Sequence, residues 1–174
     1  MGRRVLLIAG LAPLIPAARV LGADSAWFAV VVVWWPMTWV GTMSRLVRIR
    51  LPERWYRLRS FERDGVVYER LGVRVVKTLA RRGPISWWNP GLRMPAERTP
   101  ERLERLADGM RAAEASHALL FAATLPVVAH AAVRGWWTAA ALTLLLDVVL
   151  NGCPVLLQRY NRARLAERFV VAHA

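Results

Sequence analysis

Apolar residues in this chain fall into four long blocks, Val5 to Ala18, Ala26 to Met43, Ala118 to Val133 and Trp136 to Leu157, and most of the charge lies between the second and the third. A bilayer core about 30 Å thick asks for roughly 17 to 25 apolar residues per helix. The second and fourth blocks meet this outright. The first and third become full spans if flanking side chains such as Arg19 lay their stems along apolar surface and put their charges among the headgroups. The pattern predicts an all-α integral membrane protein with about four transmembrane helices, near 5–20, 26–43, 116–133 and 136–157, arranged as two hairpins. A basic amphipathic cytoplasmic segment, 45–115, joins them, and 1–174 reads as a single membrane domain.

The first block also has the look of a secretion signal, because Arg3 and Arg4 precede a short apolar stretch. Pro13 and Pro16 interrupt it, and Leu21-Gly22-Ala23 is a poor small-x-small cleavage site, so the expectation is a retained helix turning near Gly22-Ala23-Asp24-Ser25. Charge supports four crossings. One side receives Arg3, Arg4, every basic residue from Arg45 to Arg111, and Arg159, Arg162, Arg164 and Arg168, while the other receives Arg19 and Arg134. By the positive-inside rule both termini and the central segment lie in the cytoplasm, and Trp27, Trp136 and Trp137 fall at the outer interface.

A formal net charge of +13 beside 56% hydrophobic residues thus reads as topology and attraction to anionic lipid. No nucleic-acid recognition motif accompanies it, so nucleic acid is not an expected partner. Cys153 is the single cysteine, which excludes an intrachain disulfide, and no histidine stands at zinc-ligand spacing from a second ligand.

In the central segment, Pro52-Glu53-Arg54-Trp55-Tyr56 opens a stretch in which aromatic and aliphatic residues alternate with arginines, as suits short helices on a membrane surface. Gly65, Gly72 and Gly83-Pro84 punctuate it, and Trp87-Trp88-Asn89-Pro90-Gly91 reads as a turn that dips its indoles into the headgroups. Thr99-Pro100-Glu101 starts a new helix with an N-cap, a proline in the first turn and an acid behind it. Its stripe of Leu103, Leu106, Met110, Ala113 and His117 runs on into the third span.

That helix carries Glu114 and His117 one turn apart, where a carboxylate orients an imidazole and raises its basicity. The last span has its own polar stripe: Asp147, Asn151, Pro154, Gln158 and Asn161 follow at steps of 4, 3, 4 and 3, one helical face if the helix survives Pro154. The turn at Arg134-Gly135 joins the two spans; His117 lies 18 residues before Gly135, and Asn151 to Arg159 lie 16 to 24 after it, so all reach similar depth. Each feature has a plainer reading. Asn151 can cap a break at Gly152-Cys153-Pro154, Asp147 can pair with an arginine, Gln158 to Arg164 can anchor a helix end, and His117 can be structural. His130 and Cys153 read as packing residues. No G-x-S-x-G elbow, phosphate loop or H-E-x-x-H motif is present.

"AAEASHALLFAATLPVV" followed by "NGCPVLLQRYNRARL" resembles the glycosyl-4,4'-diaponeurosporenoate acyltransferase family, small membrane enzymes that attach a fatty acyl chain to the sugar of a carotenoid glucoside. Pro52, Tyr56, Phe61, Glu62, Gly65 and Leu71 stand at matching places, and the likeness covers about Leu51 to Leu165. Three departures are visible: the arginine before Glu114 is displaced by one position, no tryptophan follows His117, and the proline after Asn151 comes one position later. The resemblance implies a catalytic pair, His117 and Glu114, acting as general base on a hydroxyl of a glycolipid acceptor. It implies an acyl thioester donor such as acyl-CoA with no bound cofactor, and membrane lipids as surroundings. Asn151 or Gln158 would donate to the oxyanion, Arg159, Arg162 and Arg164 would meet donor phosphates, and Tyr160 and Asn161 would complete substrate binding. The rival classes are a non-enzymatic lipid-binding or scaffold subunit and a transferase of another group.

Overall fold

The structure is a computed structural model; it describes residues 2–44, 46–82 and 99–172. All the regular elements among the described residues are helical: α1 (Gly2–Ala9), α2 (Leu14–Leu21), α3 (Ala26–Met43), α4 (Glu53–Tyr56), a 3₁₀ turn (Ser60–Glu62), α5 (Val66–Arg70), α6 (Val73–Arg82), α7 (Pro100–Val133), α8 (Trp137–Asp147), a π turn (Val148–Gly152) and α9 (Cys153–Ala172). The turns expected at Gly83-Pro84 and Trp87 to Gly91 lie outside the described residues. The chain divides into two compact units, 1–49 with 116–152 and 50–115 with 153–174.

Among the described residues, three helices are long and apolar enough to cross a membrane: Ala26–Met43, Pro100–Val133, and Trp137–Glu167. The first apolar block makes a shorter apolar helical stretch, Val5–Leu21, interrupted where Pro13 stands as the N-cap of α2. Pro16 is accommodated in the first turn of α2, where a missing amide hydrogen deprives no carbonyl of its partner.

In the first unit, α3 is apolar on every side, and its buried positions are Phe28, Ala29, Val32, Val33 and Pro36. Ser25 caps its start, the hydroxyl accepting from Phe28 N at 3.0 Å. Phe28, Val32 and Val33 form a core with Leu14, Ala17 and Ala18 of α2 and with Val127, Leu146 and Leu150. α3 packs on α8, whose buried face of Ala139, Ala140, Thr143 and Asp147 is built mostly of small residues that let backbones approach. Indole N–H groups of α3 satisfy carbonyls at the end of α1, Trp35 Nε1 donating to Gly10 O at 2.6 Å and Trp39 Nε1 to Leu6 O at 3.3 Å.

α7 ends in a left-handed glycine, Gly135 with φ 76°, after which Trp136 N donates to Ala131 O at 2.9 Å. This closes the helix by satisfying a carbonyl of its last turn. Helix geometry then survives Pro154 in a particular way. Proline has no amide hydrogen to return to the preceding turn, and the helix widens into the π turn at Val148–Gly152 just before it.

In the second unit, α4, α5 and α6 are short and depend on packing for their order. Tyr68 and Val73 form a core with Tyr160, Leu156 and Leu157 of α9. Leu103, Leu106 and Met110 of α7 make a second core with Leu165, which is the apolar stripe expected from their spacing.

Candidate functional site

Two polar clusters stand out, one in each unit. In the first, the carboxylate of Asp147 accepts from Asn151 Nδ2 at 2.7 Å, and Asn151 Oδ1 lies 3.0 Å from His117 Nδ1. Asp147 and Asn151 are 0% and 1% exposed, so the linkage is dry at its acidic end. The π turn sets the spacing, since it lies between Asp147 and Cys153 and carries Asn151 itself. His117 meets Asn151 across 34 residues of chain, as the count outward from Arg134-Gly135 anticipates.

In the second unit, Glu114 is fully buried and both its oxygens face guanidinium groups. Arg159 Nη1 lies 3.1 Å from Oε1; Arg162 Nε and Nη2 lie 3.0 and 2.8 Å from Oε2. Arg159 is shared with Glu62, Nη2 standing 3.1 Å from Oε1, and its Nη1 also donates to Trp55 O at 3.1 Å. Arg162 Nη1 donates to Tyr56 O at 2.8 Å, and its guanidinium stacks 5.4 Å from the Tyr56 ring centroid. Two carboxylates and two guanidiniums thus balance in one buried network, and planar, multidentate arginine is the residue that can satisfy so many acceptors at once.

Glu62 also accepts from the Tyr68 hydroxyl and from Arg59 N. Burial pushes its carboxyl up, but the Tyr68 and Arg59 hydrogen bonds and the charge of Arg159 outweigh that and hold it below the ordinary value. Tyr68 is pushed up to about 12, first by burial and then by its bond to the Glu62 carboxylate.

The residues singled out by sequence therefore fall as follows. Glu114 is bound to Arg159 and Arg162, while the group on His117 Nδ1 is Asn151. Gln158 is buried, with an Oε1 that has no hydrogen-bond partner among the described residues. The Tyr160 hydroxyl donates to Glu69 at 2.9 Å under the Lys77 ammonium, which lies 5.1 Å from the ring centroid. Asn161 is half-buried. Arg164 pairs with Glu167 at 2.8 Å on the surface. Asp147, for which the sequence suggests an arginine partner, accepts instead from Asn151, and spacing marks out neither Glu62 nor Tyr68. The one sign of Glu62 was its matching place in the resemblance, because a glutamate among arginines at 59, 63 and 70 otherwise reads as solvated surface.

These features define an all-helical protein with membrane-length apolar helices, a buried acid-amide-imidazole chain and a buried network of paired arginines. Residues 52–170 match the family model described as glycosyl-4,4'-diaponeurosporenoate acyltransferase. The chain belongs to that family, whose name is that of an acyltransferase. No curated protein and no solved structure matches it.

Proposed function

We propose that this protein moves a fatty acyl group from an acyl thioester, such as acyl-CoA, to a hydroxyl of a glycosylated lipid of the carotenoid-glucoside kind at the cytoplasmic face of a bacterial inner membrane. Family membership supports the reaction class. The observation that carries the assignment of the base is His117, engaged at Nδ1 by Asn151, which reserves Nε2 for a substrate proton. In the reaction, Nε2 takes the proton of the acceptor hydroxyl as its oxygen attacks the thioester carbonyl. Collapse of the tetrahedral intermediate forms the ester, breaks the C–S bond, and returns the proton from the imidazolium to the departing sulfur.

Gln158 and Asn161 are assigned to substrate polar groups, and Arg164, with an exposed flank, to donor phosphates. Arg159, Arg162 and Tyr160 serve by holding their helix to α4, α5 and α6. Glu114 serves as the common counter-charge of the two arginines. In the same reading the Val5–Leu21 stretch is a fourth crossing and both termini are cytoplasmic, on the asymmetry of charge along the chain.

The test is lipid-resolved acyl transfer by purified protein in bilayers. His117→Gln is expected to lower turnover by about 100-fold or more with helical content unchanged. Unchanged turnover in that variant would remove His117 from the chemistry.

A further inference from the structure

We infer that Asp147 is a positioning residue that fixes the tautomer of His117 through Asn151. A carboxylate within a membrane-spanning helix is costly, so a fully buried Asp147 needs compensating partners. It accepts from an amide, Asn151 Nδ2, at 2.7 Å, and has the Thr124 hydroxyl as a further hydrogen-bonding neighbour.

That contact has a direction. A carboxylate only accepts, so it draws the NH2 end of the amide to itself and turns the carbonyl end outward. Asn151 Oδ1 then faces His117 Nδ1 at 3.0 Å and can only accept, so the imidazole proton sits on Nδ1 and the lone pair on Nε2. Without the carboxylate the amide is free to reverse, its NH2 would face Nδ1, and the proton would move to Nε2. A ring protonated at Nε2 cannot take a proton there. The acid thus sets the reactivity of a nitrogen that it does not touch, by way of an amide whose two ends are both engaged.

Position in the chain supports a built arrangement. Asp147, at the end of α8, immediately precedes the π turn that carries Asn151, and such widened turns recur at functional sites.

This inference rests on His117 being the base, but its test does not. The full-length protein, with ¹⁵N-labelled histidine, is reconstituted in lipid nanodiscs, and His117 is assigned by its loss in His117→Gln. Wild type is expected to show a neutral ring protonated at Nδ1; an Nε2–H ring in wild type overturns the inference without recourse to any variant of Asp147. In Asp147→Asn the population is expected to shift toward Nε2–H, and in Asp147→Glu to return toward Nδ1–H. Persistence of Nδ1–H in Asp147→Asn also overturns it. In the acyl-transfer assay, Asp147→Asn should lower kcat by about 100-fold at nearly constant KM, with recovery in Asp147→Glu. If the tautomer shifts as expected while His117→Gln retains full turnover, the positioning stands and the assignment of the base falls.

Discussion

Replacing Glu114 by Gln keeps the shape of the side chain and removes one charge from a buried network that is balanced in the native protein. The structure allows the cost to be worked through. Glu114 is fully buried and lies 2.8 to 3.1 Å from Arg159 and Arg162. Arg159 keeps a second carboxylate, Glu62, at 3.1 Å, but among the described residues Arg162 keeps only the Tyr56 carbonyl and ring. The Gln amide offers one acceptor where two are needed, so its NH2 group must face a guanidinium N–H. Breaking a buried ion pair from one side typically costs about 3 to 5 kcal/mol, and Glu114→Gln is expected in that range. A double variant, Glu114→Leu with Arg162→Met, removes both charges, leaves Glu62 to balance Arg159, and should recover to within about 1 kcal/mol of wild type. The assay is denaturant unfolding in detergent micelles followed by circular dichroism. If Glu114→Gln unfolds with wild type yet loses acyl transfer, the counter-charge argument is wrong and the carboxylate serves the chemistry directly.

Two further outcomes follow from the second unit. Gly65 adopts φ 72°, and a Cβ there would stand 3.1 Å from the Tyr160 ring, so Gly65→Ala should lower unfolding stability by about 1 to 2 kcal/mol, read in the same assay. The Glu62–Tyr68 pair should give opposite pH limbs. The carboxyl of Glu62 is held below 4.5, so its contribution is present above that pH and is lost as pH falls through the lower folded value; Glu62→Gln should flatten the acid limb of a melting profile. Tyr68 is raised from 10.0 to about 12, so its contribution is present below pH 10 and is lost as pH rises toward 12; Tyr68→Phe should remove that alkaline loss.

Periodicity and block length were enough to find α3, α7 and the α8–α9 stretch, because a membrane-length apolar run has few alternatives to a helix. They did not separate α1 from α2 with certainty of place, since the break depends on where the two prolines sit relative to helix ends. The depth count placed His117 level with Asn151 because a tight glycine turn and a constant rise per residue leave little freedom. It could not tell which neighbour His117 would take. Glu114 was one turn away on the same helix and looked the natural partner, but arginines 45 and 48 residues distant claim it.

The octapeptide "QRYNRARL" shows the division most clearly. Composition alone marks it as too polar for a helix that merely leaves a bilayer, and local spacing predicts that Gln158 and Asn161 share a face with Asp147 and Asn151. Its purpose depends on partners elsewhere in the chain: Arg159 joins Glu62 and Glu114, Tyr160 joins Glu69, Arg162 joins Glu114 and the Tyr56 carbonyl, and Leu165 enters the core of Leu103, Leu106 and Met110. Helix formation and membrane insertion are properties of local composition, legible one segment at a time. Pairing of buried charges is not, because a guanidinium selects its carboxylate by distance and shared desolvation, and those are set when α4, α5 and α6 fold against α9.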